Sequence, residues 1–588
     1  MILSPSIGWL TSAPTLLGLL LFSPCASAGT LFVDAGLTTG LDNGSSWANA
    51  YQGTHGLKAA LAVAVASDQV FVASGTYLPS STGSRSDSFN LINAVEIYGG
   101  FVGTESSPAE RPPFGTASSV LSGDLGGNDG SGTLTDNSYH VVRGAGTNAS
   151  AVFDGFTVSG GNANGAGNDN RGGGMIFGGG SASTMRNSLF TGNRCTFGGG
   201  AGYINNASPS FTDCSFVNNI GGSFGGAFDI ATAGAVIFDR CLFQGNRASR
   251  AGALEIFSTT GVKVINSVFL DNTATGGSGG GAIWMGSGGN TQVRNCTVVG
   301  NSATSQAVGG LRVSGGNPTI ANCIFWANTG SGGAMGSANQ VAGTANVTYS
   351  IVTGGFAGTG NLGADPSFQD LGAGNFALTL ASPAIDAGDN SMVPAGITLD
   401  HVRNPRFVDE PGVVDTGAGS APITDIGAFE FQASATTGFC FGDGSGTACP
   451  CNNNGAAGNG CGNGSFPAGC HLSSTGAASV SNDTLTLVAT ASAPGKAGMF
   501  FLGTGAIAGG NGATFGDGLR CAGGSICRLQ LVVADGAGVA NSTISIAAKC
   551  GPTVGQVHRM QWWFRDTQGS PCGSGFNLSN GVEATWAP

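Results

Sequence analysis

Two aromatic residues and two carboxylates recur at nearly constant spacing in the middle of the chain. Counting three residues beyond a turn glycine in each repeat gives one column of residues: Phe177, Tyr203, Asp229, Glu255, Trp284 and Val313. The positions flanking this column are mostly apolar, so we expect the column itself to face solvent. Aromatic rings stack on pyranose faces and carboxylates accept hydrogen bonds from hydroxyl groups. The column therefore predicts a ligand-binding strip for a sugar polymer, formed by Tyr203, Asp229, Glu255 and Trp284.

Asp229 and Glu255 are also the candidates for catalysis. On neighbouring strands their backbones would lie about 5 Å apart. That separation matches the carboxylate pair of a retaining glycosidase, and repulsion between the two acids would raise the pKa of one of them. A lyase would instead need calcium-binding acids and a base, and Arg247, Arg250 and Lys263 are near in sequence. The alternatives are non-catalytic glycan binding, an ordinary solvated face, or a face covered by a loop.

These positions are set by a repeat of about 27 residues. The motif Phe-x-x-Asn, with Val replacing Phe once, closes six successive units and ends at Asn193, Asn219, Asn246, Asn272, Asn301 and Asn328. Its aromatic position holds Phe190, Phe216, Phe243, Phe269 and Phe325, and a third apolar column runs from Met185 to Val347. A unit this short buries its apolar residues only by stacking on its neighbours.

Three short strands and three turns fit within each unit. We therefore predict an all-β fold, a right-handed parallel β-helix (solenoid) with an Asn ladder at a tight bend, followed by a small disulfide-rich β-sandwich-like domain. The signatures Phe-x-x-Asn and Gly-Gly-Ala-(Ile/Leu) resemble the repeats of the polymorphic outer-membrane protein and right-handed β-helix families over roughly residues 150–355. This resemblance implies an extracellular passenger or adhesin.

Two further segments resemble known modules. Ser382 to Asp386, Asp400 to Arg406 and Asp425 to Glu430 are similar to the choice-of-anchor Q segment, which closes β-helices of exported proteins. The cysteine-rich end, with Phe515 to Cys521 and Trp562 to Arg565, is similar to a terminal module of secreted bacterial proteins. The first resemblance implies association with a surface, and neither implies an activity.

The predicted organisation has five parts. They are a signal peptide (1–28), an N-terminal cap with the first coil (29–80), the β-helix (81–370), the choice-of-anchor Q-like closing segment (371–432) and the cysteine-rich β module (439–588). The apolar run from Leu16 to Phe22, followed by Ala26-Ser27-Ala28, predicts export. A helix over 55–66 is expected to cap the first coil, because an open β-helix end exposes unpaired strands.

Nine of the fifteen cysteines lie between Cys440 and Cys572. In an exported chain they predict disulfides and one leftover thiol, in preference to a zinc site. Cys214 with Cys241 and Cys296 with Cys323 are expected to be buried thiols of adjacent coils. Strands are predicted near 484–489, 529–533 and 544–548.

The net charge of −12 argues against nucleic acid or an anionic membrane as partner. No cofactor is predicted, although Asp124, Asn128 and Asp129 could hold Ca²⁺ in place of forming a plain acidic turn. We expect a secreted or cell-surface protein with no membrane-spanning segment in its mature form. Its expected function is non-catalytic adhesion or binding to an extracellular polysaccharide or surface component; the alternative is a polysaccharide lyase or glycoside hydrolase.

Overall fold

The computed structural model describes residues 29–586 apart from 259–260, 288, 305–307, 411, 433–435 and 481–482. The predicted signal peptide, residues 1–28, lies outside these described residues. From Thr30 to Val352 the chain winds into a parallel β-helix, and successive coils contribute strands to three long sheets. In the described part of the chain, none of the helices has the length and apolar character needed to cross a lipid bilayer.

Sheet 1 has twelve strands, which in spatial order are Tyr51–Gln52, Thr30–Asp34, Gln69–Ala73, Glu96–Phe101, Val152–Asp154, Thr184–Arg186, Ser210–Thr212, Ile237–Asp239, Lys263–Ile265, Gln292–Arg294, Thr319–Ala321 and Asn346–Thr348. Sheet 2 has ten strands: Gly75–Tyr77, Ser119–Ser122, Phe156–Ser159, Leu189–Thr191, Ser215–Val217, Leu242–Gln244, Val268–Leu270, Thr297–Val299, Ile324–Trp326 and Ile351–Val352.

Sheet 3 has nine strands: Phe89–Asn90, Val142–Ala145, Met175–Gly178, Gly202–Ala207, Phe228–Ala233, Leu254–Ile256, Ile283–Met285, Leu311–Val313 and Val341–Gly343. Two small parallel sheets lie between sheets 2 and 3 along the chain. Their strands are Asn162–Ala163 with Arg194–Cys195, and Arg247–Ala248 with Thr273–Ala274 and Ser302–Ala303.

The predicted register is confirmed by the pairing of Phe190, Phe216, Phe243 and Phe269 in adjacent strands of sheet 2. Their rings are stacked, with centroids 5.2, 5.0 and 4.6 Å apart. The apolar column from Met185 to Val347 is likewise in register in sheet 1. Side chains from all three sheets fill one elongated core.

The Asn ladder is confirmed and fully buried. The Oδ1 atom of Asn246 accepts hydrogen bonds from both the backbone N–H and the Nδ2 of Asn219, each at 3.0 Å. Its Nδ2 donates to Phe216 O at 2.8 Å and to Asn272 Oδ1 at 2.9 Å. The left-handed backbone of this bend falls one residue before each ladder Asn, at Gly192, Asn218, Gly245, Asp271, Gly300 and Ala327.

The α-helices are Gly56–Val63, Ser337–Gln340 and Ile546–Cys550, and the 3₁₀ helices are Trp47–Asn49, Pro108–Glu110, Asp129–Ser131, Gly167–Asn170, Ser331–Gly333, Asn390–Met392 and Ile507–Gly510. The predicted capping helix is Gly56–Val63. It buries Leu57 and Ala60 against the first coils, as expected for a cap.

The segment after the β-helix packs along its side. The hairpin Phe368–Asp370 with Asn375–Leu378 places Phe376 against Val268 and Val299 of sheet 2. Asn322 exchanges two hydrogen bonds with the backbone of Asp389, at 2.8 and 3.0 Å. The segment that we expected to close the β-helix therefore covers the corner between sheets 1 and 2.

The C-terminal region contains two antiparallel sheets around one apolar core, which confirms a β-sandwich-like domain. The first sheet comprises Thr436–Phe439, Gly581–Thr585, Val557–Arg565, Ala497–Ala506, Ala522–Val533 and Phe576–Leu578. The second comprises His471–Thr475, Thr486–Thr490 and Ala540–Asn541, and a separate hairpin joins Ala513–Phe515 to Gly518–Arg520.

One predicted strand of this domain is wrong. Residues 544–548 overlap the helix Ile546–Cys550, whose N-terminus is capped by the Ser545 side chain accepting a hydrogen bond from Ala548 N at 3.1 Å. A disulfide from Cys550 to Cys527 holds this helix against the sheet. Tertiary attachment outweighs the β propensity of the local sequence here.

Four disulfides join the cysteine-rich domain: Cys440–Cys521, Cys449–Cys461, Cys451–Cys572 and Cys527–Cys550. Cys470 is the leftover thiol and is fully buried. Cys214, Cys241, Cys296 and Cys323 are buried free thiols, as predicted.

Replacing Asn246 with Ala tests the ladder. The change leaves buried donors on Asn219 and a buried acceptor on Phe216 without partners, so we expect the free energy of unfolding to fall by about 3 kcal/mol. Chemical denaturation followed by circular dichroism measures this. Asn205→Ala, at an exposed position of sheet 3, is the control. Equal stability of the two variants would contradict the structural role of the ladder.

Candidate functional site

The four central residues of the predicted strip lie in register in sheet 3. Tyr203 pairs with Asp229, Asp229 with Glu255, and Glu255 with Trp284. We call these four residues the acidic column. The predicted ends of the column are wrong, because the neighbours in register are Ile176 beside Tyr203 and Arg312 beside Trp284.

Phe177 and Val313 instead pair with the inner positions Ile204 and Met285. The error comes from the turns: in each of the two terminal coils a second glycine stands where the inner coils have Ala, so the count began one residue too late. The aligned glycines precede Gly174 and Gly310 by one residue.

The expectation that the acidic column faces solvent is also wrong. Tyr203 is 5% exposed, Asp229 3%, Glu255 1% and Trp284 7%. The column points away from the core but lies beneath the glycine-rich turns that enter sheet 3. The loop-covered alternative is the one observed, and a ligand-binding role for these four residues stays a prediction.

Arg171 covers the first half of the acidic column. Its Nη1 atom lies 2.9 Å from Asp229 Oδ2. Its guanidinium also lies over two rings, 4.2 Å from the centroid of Phe197 and 4.7 Å from that of Tyr203. A face of the Tyr203 ring is thus occupied by a cation of the protein itself.

Arg250 covers the second half in the same way. It forms an ion pair with Glu255. Its guanidinium lies 4.4 Å from the ring centroid of Phe224 and 4.0 Å from that of Trp284. Of the three basic residues considered for a lyase, Arg250 contacts the acidic column, whereas Lys263 lies in sheet 1 and Arg247 in a small corner sheet.

Glycine residues in the turns allow the backbone to lie this close to the acidic column. A Cβ atom at Gly198, in the turn above Asp229, would overlap the Asp229 carboxylate. Because Arg171 and Arg250 each neutralise one acid, the arrangement is a compact layer of paired charges and rings. It has the character of a packed outer layer of the solenoid.

Burial raises the pKa of Asp229 to about 7, and the neighbouring charge of Glu255 adds to this rise. Burial also raises the pKa of Glu255, against the effect of Arg250. The raised pKa that was predicted for one acid of the pair is therefore present, mainly because of burial.

An open groove lies elsewhere, at the corner between sheets 1 and 2. Seven residues at this corner have left-handed backbones with φ between 44° and 55°: Asn187, Asp213, Arg240, Asn266, Asn295, Asn322 and Tyr349. Asn and Asp tolerate this conformation. The side chains of Asn187, Asp213 and Arg240 line the floor of the groove.

The walls come from distant parts of the chain. One wall is formed by residues 99–100 and 108–117. The other is formed by His401, Val402 and Arg403 of residues 371–432, which we call the flanking segment. We call this space the flank groove. Its volume is about 600 Å³, within the usual range of ligand sites. Its floor crosses four consecutive coils, about 14 Å along the axis.

A continuous polar network runs along the floor. Arg111 Nη2 lies 3.1 Å from Asp154 Oδ1, and Asn187 Nδ2 donates to the same oxygen at 3.2 Å. Arg403 Nη2 bridges the next coils, at 2.8 Å from Asn187 Oδ1 and 3.0 Å from Asp213 Oδ2.

Arg240 extends the network, with its Nε 2.8 Å from Asp213 Oδ1. Burial alone would raise the pKa of Asp213, but hydrogen bonds and charges from Arg240 and Arg403 hold it below its ordinary value. Burial lowers the pKa of His401 to about 4, and its Nδ1 lies 2.9 Å from Asn266 O. At neutral pH the groove therefore presents arginines, an ionised aspartate and a neutral imidazole.

The rim of the flank groove is apolar and accessible. Phe114 is 51% exposed and Val402 47% exposed. The Arg403 side chain is 52% exposed and so reaches both the floor and solvent. An exposed ring beside guanidinium and amide groups is a surface that fits a polyhydroxylated ligand.

The proposed calcium turn is held together by its own hydrogen bonds. Asp124 accepts from the backbone N–H groups of Asn128 and Asp129, at 3.1 and 3.0 Å. Asp129 accepts from Asn137 Nδ2 at 3.0 and 3.2 Å. These bonds account for the turn geometry, and Ca²⁺ binding there stays a prediction.

Comparison with known proteins supports the fold. Residues 203–367 match the family model described as right handed beta helix region. This match confirms the predicted fold and its hand. The crystal structure of the pectate lyase Pel9A superposes with a TM-score of 0.39 and 14% identity, over 69% of this chain and 97% of that chain. That likeness is too distant to assign an activity. We found no curated protein with a significant match.

The flank groove was not predicted from the sequence, although one signal for its floor was present. A residue able to adopt the left-handed conformation, Asn or Asp, directly precedes the Ser/Cys column in five of the seven coils from Asn187 to Tyr349. The walls had no comparable signal, because nothing in the local sequence says that residues near 110 and 402 meet.

Asp229→Asn tests the electrostatics of the acidic column. An unfolded aspartate has a pKa of about 3.9, so between about pH 4 and pH 7 the folded protein retains a proton that the unfolded chain has lost. The contribution of Asp229 to the free energy of unfolding therefore falls as pH rises through this range.

The variant lacks this titration. As pH rises, its free energy of unfolding should therefore increase relative to that of the wild type, by at most about 1.4 kcal/mol per pH unit. Denaturation curves recorded across the range measure the difference. Asp370→Asn, at an exposed carboxylate, is the control. If the free energies of unfolding of the wild type and Asp229→Asn change with pH in parallel, the pKa of Asp229 is not raised.

Proposed function

We propose that this protein is a secreted or cell-surface β-helix protein that binds an extended extracellular polysaccharide, without cleaving it, in the flank groove. The observation that carries the proposal is the groove itself, which is open, crosses four coils and combines an exposed phenyl ring with guanidinium groups. Arginine and aromatic side chains are the residues that most often dominate binding energy at interfaces.

The protonation states in the groove favour binding over turnover. General acid and base catalysts work best with a pKa near the operating pH. The pKa of Asp213 is held low by its arginine partners, and that of His401 is about 4. Both groups are therefore poorly placed to exchange protons with a substrate at neutral pH.

Glycoside hydrolysis or lyase activity is the second candidate function. It is favoured by one observation, the pKa of about 7 for Asp229 beside Glu255 on the neighbouring strand. Against it, both carboxylates are buried and paired with Arg171 and Arg250. A substrate would have to displace these arginines to reach either acid.

The disulfides support the proposed location outside the cytoplasm, and this support does not depend on the groove. Four disulfides connect the cysteine-rich domain, and such bonds persist in oxidising compartments. The predicted signal peptide is consistent with this location. The partner is proposed to be an extracellular polymer, not nucleic acid.

The double variant Phe114→Ala/Arg403→Ala tests the proposed groove. Removing the exposed ring and the half-exposed guanidinium should weaken binding to a retained polysaccharide by about tenfold or more. Affinity electrophoresis with neutral and acidic polysaccharides measures this. The matched control is Phe257→Ala/Arg143→Ala, since both residues are exposed on the β-helix outside the groove.

If Phe114→Ala/Arg403→Ala binds the polysaccharide as tightly as the wild type, the proposed site is wrong. If only the control variant loses binding, the ligand binds on another face of the β-helix. The same polymers should release no reducing or unsaturated ends on incubation with the wild type. Product release that disappears in Asp229→Asn/Glu255→Gln would instead support the enzymatic alternative.

A further inference from the structure

The flanking segment buries an unusual number of carboxylates. Asp386, Asp400, Asp425 and Glu430 are each at most 4% exposed, and the buried cation among them is Arg406, which lies 3.3 Å from Glu430. Buried charges are costly unless each is paired or hydrogen-bonded. The partners of each carboxylate therefore show which of them is satisfied within the protein.

Three of the four are satisfied by backbone N–H groups. Asp400 accepts from Val402, Asn404 and Glu430, at 3.0, 2.8 and 3.0 Å. Asp425 accepts from Asp386 N at 2.8 Å and from Phe431 N at 2.5 Å. Glu430 accepts from Val408 N at 3.2 Å and from Asp425 N at 3.1 Å. Both oxygens of each of these carboxylates have a donor.

Asp386 differs from these three. Its Oδ2 accepts from Glu410 N at 3.3 Å. Its Oδ1 is buried and accepts no hydrogen bond from any residue that the structure describes. The residue is 0% exposed, so this oxygen is not satisfied by bulk water. A buried carboxylate oxygen without a protein donor is commonly satisfied by a water molecule or an ion.

Two more carboxylates converge on Asp386. One oxygen each of Asp386, Asp409 and Asp415 lies within 4.8 Å of the others. The backbone holds the loop in this position, because Asp386 O accepts hydrogen bonds from Thr416 N and Gly417 N, both at 3.0 Å. Three like charges at this separation repel one another. Asp409 and Asp415 are exposed, which leaves a path from solvent.

We propose that Asp386, Asp409 and Asp415 form a binding site for a divalent cation, Ca²⁺. Oxygens bound to one Ca²⁺ lie 2.3–2.6 Å from it and hence at most about 5 Å apart, which the three carboxylates satisfy. An all-oxygen set of ligands selects a hard cation. The ion would supply the missing partner of Asp386 Oδ1 and relieve the repulsion, and water would complete its coordination.

This site is separate from the acidic turn at Asp124 that the sequence indicated. It is also independent of polysaccharide binding, since Asp386, Asp409 and Asp415 do not line the flank groove. A cation here would link Asp409 and Asp415 to Asp386, which lies earlier in the flanking segment. Failure of either proposal would therefore leave the other intact.

Isothermal titration calorimetry of the full chain, freed of metal with a chelator, tests the site. We expect one Ca²⁺ per chain with a Kd on the order of 10⁻⁴ to 10⁻³ M, as in extracellular modules. Asp409→Asn/Asp415→Asn should weaken binding by about tenfold or more, because each substitution removes a charged ligand. Both positions are exposed, so the variant should keep the circular dichroism spectrum of the wild type.

The matched control Asp365→Asn/Asp370→Asn removes two exposed charges from the preceding segment and should bind Ca²⁺ as the wild type does. The proposal is overturned by a wild type that does not bind Ca²⁺, or by equal affinity in Asp409→Asn/Asp415→Asn. Binding lost only in Asp124→Asn/Asp129→Asn would also overturn it, in favour of the acidic turn. Tighter binding of Mg²⁺ than of Ca²⁺ would contradict the choice of ion.

Discussion

The structure depends on the axial register of its parallel coils. Because adjacent strands lie about 4.8 Å apart, each side chain has as its closest neighbours the residues one coil before and one coil after it. A buried amide such as Asn246 is then satisfied by the same residue type above and below. The same constraint stacks the phenyl rings of sheet 2 and places free thiols in adjacent coils without disulfides.

The register between coils determines the packing of the β-helix, but it does not determine which turns and segments lie over its outer faces. Arg171 and Arg250 reach the acidic column from turns, and Gly198 permits close approach. The flank groove likewise exists because residues near 110 and 402 meet over one corner. Accessible surface on this molecule is therefore decided by insertions and by the flanking segment, which explains why a column pointing outward can still be buried.

The residues predicted best from sequence were those that pack against the equivalent residues of the neighbouring repeats. The Asn ladder and the Phe stack followed from spacing, and the existence of one leftover thiol followed from counting, whereas its identity as Cys470 came from the structure. The acidic column was located correctly at its centre, but a glycine in place of the usual Ala shifted the count by one residue at each end. Its burial was not predictable, because Phe197 and Phe224 lie in turns outside the repeat pattern. The three carboxylates around Asp386 come together only through tertiary folding.

We expect ligand contact at the flank groove and none at the acidic column, which is a buried outer layer of the solenoid. Hydrogen–deuterium exchange with and without a retained polysaccharide tests this expectation most directly. We expect ligand-dependent protection of residues 99–117 and 401–403, with exchange in the turns over Tyr203 and Asp229 unchanged. Protection confined to those turns and to the strand containing Trp284 would contradict it.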